Sequence, residues 1–302
     1  MTRLSLLFAA FLTFAGAFSL CAQNPEATND QIQAQLHKLA EGLHYKQGEV
    51  TLKNGLAKIN VPADFRYLDS ADTDTVLVKM WGNPPSKEHT LGMLVPANIG
   101  PDDPECLGII ITFEEEGYVK DEDAAKINYD DILKQLKADV EKASKQREKE
   151  GYPSIALVGW ATPPRYDSVA KKLYWAKELK FSDSKEHTLN YNIRILGRRG
   201  YLVLNAVGTM DQLPEVEKLA PSILASVNFQ DGHRYADFSP KTDKIATYGL
   251  AGLIAGGVLI KTGLFAKMFG ILLAAKKFVI VGFAAVAAGI KKLFGRKNDP
   301  VA

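Results

Sequence analysis

The sequence predicts an α+β fold: an antiparallel sheet packed by helices, set between two apolar ends. Three observations predict it. Alternating apolar runs recur in pairs through the middle of the chain, and amphipathic helical stripes separate them. The segments Met1–Ala22 and Ala246–Phe294 are apolar and contain no Asp or Glu, so they follow a different logic from the 302-residue chain's middle.

The N-terminus reads as an export signal over residues 1–22. Arg3 supplies the positive region, "LSLLFAAFLTFAGAFSL" the apolar stretch, and Ala22 before Gln23 the best cleavage register. Leu20 before Cys21 is too large for a lipidation site. Once the signal is removed Cys106 is alone, so no internal disulfide forms, and its place at the head of "CLGIIITF" suits a small buried hydrophobe.

An exported globular domain is expected over residues 23–240. Asp30–Tyr45 carries Ile32, Leu36, Leu39 and Leu43 at helical spacing. "GEVTLKNGLAKINVP" places two alternating strands around Asn54-Gly55, a strong hairpin signal. A helix follows from a cap at Asp69 or Ser70 to Trp81, stopped by Gly82. "HTLGMLVP" and "CLGIIITF" read as strands, the second buried on both faces. Tyr129–Glu150 keeps Ile132, Leu133, Leu136 and Val140 on one stripe and is a helix. "SIALVGWATPP" reads as another buried strand. Residues 171–208 form a three-stranded meander, with Leu179 placed opposite Tyr191 so that the apolar rows of its first two strands share a face. "LPEVEKLAPSILASVNF" gives a last helix and short strand, and "QDGHRYADFSPKTDK" a tether.

The tether and a transmembrane helix occupy residues 241–267. Ala246–Ala266 in helical form spans about 31 Å, near the hydrocarbon thickness of a bilayer. Lys261 lies near its inner end, where it reaches the headgroups. Gly252 and Gly256 have the small-x-x-x-small spacing that lets two membrane helices approach, which would make a homo-oligomer. Residues 268–302 form a second apolar, basic segment. Lys276 and Lys277 each cost roughly 2.5–3.5 kcal/mol at a bilayer centre, close to what the segment's apolar residues return. With Lys291 and Lys292 they share one side of a helix. Both a helix lying on the inner surface and a second span remain open.

Charge is segregated. Residues 23–245 carry 28 Lys/Arg against 34 Asp/Glu, and residues 246–302 carry 8 Lys/Arg against Asp299 alone. The acidic middle excludes a nucleic-acid surface, which must neutralise phosphates. The basic tail suits anionic membrane lipid.

Candidate site residues are few. "SKEHTL" occurs at Ser86–Leu91 and Ser184–Leu189, bringing His89 and His187 into similar loops before strands. Those two histidines would form a metal site only if the loops met, and no close-spaced ligand motif supports one. The acidic runs Glu114–Glu116 and Asp121–Asp123 lack the alternating ligands of a calcium loop. Arg194, Arg198 and Arg199 gather near one turn, where they would meet an anion or lipid headgroup. No phosphate loop, nucleophile elbow or dinucleotide fingerprint is present, so neither catalytic residues nor a cofactor are expected.

The stretches "GEVTLKNGLAKINVPADFRYLD", "GYVKDEDAAKINYDDILKQLK", "LVGWATPPRYD", "TLNYNIRILGRRGYLVLNAVGTMDQLPE" and "RYADFSPKTDKIATYGLAGLIAGG" resemble a family of bacterial membrane-anchored proteins of unknown function, DUF2167. The resemblance covers nearly the whole mature chain and implies a signal, an exported domain and a C-terminal anchor, with no activity to carry over. "LAKINVPADF" and the segment from Tyr201 to Phe229 also look like the opening hairpin and closing helix-strand of PsbP-like domains. That likeness implies a sheet sandwiched by helices and used for binding. The expectation is therefore a non-enzymatic binding or adaptor module. It would sit on the periplasmic side of the cytoplasmic membrane, with lipid and an unknown envelope protein as partners. A membrane-bound hydrolase and a metal- or ligand-sensing module are the alternatives.

Overall fold

The computed structural model describes residues 29–83, 90–103, 105–149 and 153–256. The hairpin forms as its sequence demands. Strands β1 (Gly48–Leu52) and β2 (Ala57–Val61) pair antiparallel, from Gly48 opposite Val61 to Leu52 opposite Ala57. Their connection runs through left-handed Lys53, Asn54 and Gly55, whose φ reaches 89°. Strand β10 (Val227–Phe229) adds to β2, so the two ends of the domain close one three-stranded sheet.

A second sheet holds the remaining seven strands: β3 (Phe65–Leu68), β4 (Gly92–Pro96), β5 (Ile109–Glu114), β6 (Ile155–Asp167), β7 (Lys172–Phe181), β8 (His187–Leu196) and β9 (Tyr201–Thr209). Their spatial order is β3-β4-β5-β9-β8-β7-β6, with every pairing antiparallel. The expected sheet is thus two sheets, packed with helices. The short β3 carries no sequence signal beyond its three large side chains. Strand β6 is an edge strand with one exposed row. It is not the doubly buried strand its apolar run suggested, and Pro163 and Pro164, which cannot donate to a ladder, fit only at such an edge.

One face of the large sheet is covered by the small sheet and α4 (Leu213–Ser226), enclosing Phe65, Ile109, Ile111, Tyr191, Ile193, Leu202 and Leu204. On the other face the cover comes in two groups. Helix α1 (Asn29–Glu41) packs over β4 and β5 together with α2 (Ser70–Asp74), which continues as a wider π turn through Met80. Asp69 caps α2 by accepting from the Asp72 N–H at 3.3 Å. Helix α3 (Tyr129–Lys149) and a short α5 (Leu250–Ala255) pack over β6 and β7, burying Leu136, Val140, Trp175, Leu179 and Leu253.

The meander forms, but in another register. Lys172 opposes Ile195 and Lys180 opposes His187, which puts Ala176, not Leu179, opposite Tyr191. The apolar rows of β7 and β8 therefore lie on opposite faces. With both faces of the sheet covered, each strand buries both of its rows, so alternation alone does not fix the register. The consequence is chemical: beside Trp175 and Leu179 lie the polar side chains of Asn190, Asn192 and Arg194.

The expected tether is a docked strap. Tyr235 is buried, Tyr118 stacks between Tyr235 and Phe238 with ring centroids 4.3 and 3.9 Å away, and Ala246 donates to the Tyr118 carbonyl at 2.9 Å. Gly117 sits at φ 103° directly beneath this pairing, and a Cβ there would meet the Lys244 carbonyl at 2.8 Å. Ala246 does not begin a helix. Within the expected span the described helix runs only from Leu250 to Ala255, and Gly256 at φ 77° closes it in left-handed form. Leu250 is fully buried and Ile254 nearly so, against protein, which moves the start of any span beyond Gly256. Among the described residues no helix is long and apolar enough to cross a membrane.

Candidate functional site

Of the three arginines proposed for an external anion, Arg198 and Arg199 already hold an internal one, and Arg194 lies apart from them on β8. Arg198 donates to both oxygens of Asp243, at 2.6 and 3.1 Å, Arg199 reaches the same carboxylate at 3.4 Å, and the Ser239 N–H donates to it at 2.8 Å. These bonds, Arg198's above all, hold the Asp243 carboxyl well below the usual carboxylate range, and its side chain is wholly enclosed. The acidic run is likewise consumed by the strap. Asp121 accepts from Tyr166 and Lys171 at 2.6 Å each and from Tyr235 at 3.0 Å. Burial opposes its charge, yet those donors bring its carboxyl below its ordinary value. Asp123 accepts from the Leu250 and Ala251 N–H groups at 3.1 Å and so caps α5 from across the fold.

His187 opens β8 and bonds through Nδ1 to Glu178 on β7, while His89 lies outside the described residues. Among the described residues no group of three or more His, Cys, Asp or Glu side chains could hold a metal ion. Cys106 is half-buried, and burial pushes its thiol up to about 12. Gly252 sits inside α5, where a Cβ would come within 2.6 Å of Tyr248 Cβ, and Gly256 is the left-handed stop. Both glycines thus have reasons within the chain. Lys261, Lys276, Lys277, Lys291 and Lys292 lie outside the described residues.

The arrangement with chemical potential is one the sequence reading did not assemble. On the face that carries the two helical groups the large sheet presents rows running across β7, β8, β9 and β5. Lys177 opposes Asn190 and then Val207; Trp175 opposes Asn192, then Asn205 and Ile110; Leu173 opposes Arg194, then Val203 and Thr112. On β6, Trp160 pairs with Lys177. Val203, Asn205, Val207, Thr112 and Lys177 are half-buried, whereas Trp175, Asn190, Asn192 and Arg194 among them are buried.

Its hydrogen bonds form a directed chain. Arg194 donates to the Asn192 side-chain oxygen at 3.3 Å and to the Ile193 carbonyl at 3.0 Å. Asn192 donates to Asn190 Oδ1 at 2.9 Å, and Asn190 donates to Asn205 Oδ1 at 2.9 Å. Each amide oxygen is thereby used, while donors are left over. The buried Trp175 indole N–H meets no acceptor, and the Lys177 ammonium and the Asn205 amide donate to nothing among the described residues. Arg194 is bent back over the Trp175 ring, 5.1 Å from its centroid. Burial, with the Arg194 charge nearby, pushes the Lys177 ammonium down to about 8.

Residues 44–287 match the family described as "Protein of unknown function (DUF2167)". The chain belongs to that family. No curated protein matches it. Three solved structures show likeness. Cyanobacterial PsbP (CyanoP) from Synechocystis sp. PCC 6803 is 13% identical, over 60% of this chain and 91% of that one, at a TM-score of 0.33. The Ran-binding protein Mog1p of Saccharomyces cerevisiae is 12% identical, over 65% and 100%, at 0.32. LpqN of Mycobacterium tuberculosis, involved in cell envelope biogenesis, is 14% identical, over 68% and 99%, at 0.31. A PsbP is thus among the similar structures.

Proposed function

We propose that this DUF2167 protein is a non-enzymatic binding module of a bacterial envelope, held at the outer face of the cytoplasmic membrane by its C-terminal tail. The observation that carries the reading is the welded strap. Residues 234–255 are fixed to the sheet by the Asp243–Arg198 pair, the Tyr118 stack and the Asp123 cap, and the apolar, basic stretch follows Gly256 directly. A tail leaving a fixed point would set the domain at a defined height and tilt over lipid, which a loose tether would not. The charge segregation supports the same orientation, because the eight basic residues of the tail favour the cytoplasmic leaflet.

The test is fractionation of cells producing the full chain, with added protease on spheroplasts. The expected product resists salt and carbonate washes, leaves the membrane only with detergent, and is digested from outside. A full-length chain released by salt alone, or protected from external protease, would overturn the proposal.

A further inference from the structure

We propose that this strip of β7, β8 and β9 is a binding site for an organic carboxylate, whose oxygens accept from Lys177, Arg194, Trp175 and Asn205. The proposal rests on these side chains alone and holds whether or not the tail enters a membrane.

Two lysines on one strand make the contrast. Lys172, on the opposite face of β7, is buried and satisfied: its ammonium donates to the Leu224 carbonyl, to the Val227 carbonyl at 3.0 Å and to Asn228 Oδ1 at 3.2 Å. It closes the C-terminal end of α4, a structural task. Lys177 has no such partner. The Trp175 indole N–H is buried without an acceptor, which is costly, and in the adjoining positions the half-buried Lys177 and Asn205 add donors that no described residue accepts from, so the site is short of acceptors. An ionised carboxylate is acceptor-only and offers two oxygens, which is what this donor set lacks.

Charge selects among anions. Arg194 and Lys177 bring two positive charges, and Glu114 on β5 is the carboxylate whose field reaches Arg194. One unit of positive charge is left, which suits a carboxylate monoanion better than a phosphate dianion. The rest of the ligand has apolar ground to lie on, because Val203, Val207 and Trp160 border the polar rows and are half-buried.

The experiment uses the full chain in detergent and fluorine NMR of three soluble probes at millimolar concentration. These are 4-fluorobenzoate, the neutral 4-fluorobenzamide and the dianionic 4-fluorophenylphosphonate. The benzoate signal is expected to broaden and saturate, the amide to stay sharp, and the phosphonate to bind more weakly than the benzoate. Lys177→Met is expected to weaken benzoate binding at least tenfold, and Lys177→Gln, which keeps a donor without the charge, to weaken it less. Lys180→Met, at an exposed position on the same strand, is expected to leave it unchanged. Thermal melts of each variant establish that it is folded before it is compared. The proposal is overturned by acid and amide binding alike, by a tighter phosphonate, by a folded Lys177→Met chain that binds like the parent, or by no binding at all.

Discussion

Lys172 and Lys177 stand five residues apart on one strand, and their surroundings decide opposite fates for the same side chain. Burial lowers the ammonium's proton affinity in both, but only Lys172 recovers acceptors for it. The folded pKa of Lys177, about 8, lies below its ordinary value of 10.5. The unfolded chain therefore holds the proton more tightly between those values, and stability rises as pH climbs from 8 towards 10.5. Below pH 8 the penalty is fully present, on the order of 2 kcal/mol once solvent screening of a half-buried group is allowed for. Arg194 is the charge that adds to the effect. Lys177→Met is thus expected to be more stable than the parent at pH 7, and the difference is expected to shrink at pH 10. Chemical denaturation at the two pH values measures it; a variant less stable than the parent at pH 7 would mean that Lys177 has a structural partner after all.

At the scale of elements, what could be read locally was read, and what depended on distant partners was not. The Asn54-Gly55 hairpin, the α2 cap at Asp69 and the stripe of α3 are set by neighbours in sequence, and each formed where its residues placed it. The β7–β8 register was misread because it is set by α3 above and α4 below, neither of which is visible in an alternating pattern. That single error hid the candidate site, since Asn190, Asn192 and Arg194 were assigned to the face opposite Trp175. Sequence does hold one clue to it: three polar residues alternate within a strand whose other row is Leu189, Tyr191, Ile193 and Ile195, and polar rows rarely go under helices without a use. The strap was misread for a similar reason. Its polar residues suggested solvent, yet Asp243 and Tyr235 find partners more than forty and more than a hundred positions back in the chain. Asp243→Asn removes the charge that Arg198 and Arg199 share. It is expected to speed trypsin cleavage at Lys241 and Lys244 several-fold in the otherwise folded chain, read by mass spectrometry of timed digests. An unchanged rate would show that the aromatic stack around Tyr118 alone holds the strap.

At the scale of the whole molecule, these contacts set where the globular unit stops. Sequence composition put its edge near residue 240, where turn residues give way to apolar ones. Packing extends it to Gly256. Leu250, Leu253 and Ile254 are each at most 5% exposed, and burying a side chain of that size is worth about 1.5–3 kcal/mol. Three of them, with Tyr235 and the Asp243 pair, amount to much of the 5–15 kcal/mol by which a typical domain is stable. Two truncations separate the boundaries. A chain ending at Gly256 loses the apolar, basic tail and keeps every strap contact, so it is expected to leave the membrane fraction while melting within a few degrees of the full chain. A chain ending at Pro240 loses Asp243, the Ala246 pairing and all of α5. It uncovers Leu173 and Trp175 beneath them, and is expected to unfold at growth temperature or to aggregate. Circular dichroism melts of both products distinguish the outcomes. A Pro240 truncation as stable as the Gly256 one would mean that the strap only lies on the domain, and the tail's fixed point of departure, on which the proposed height above the membrane depends, would go with it.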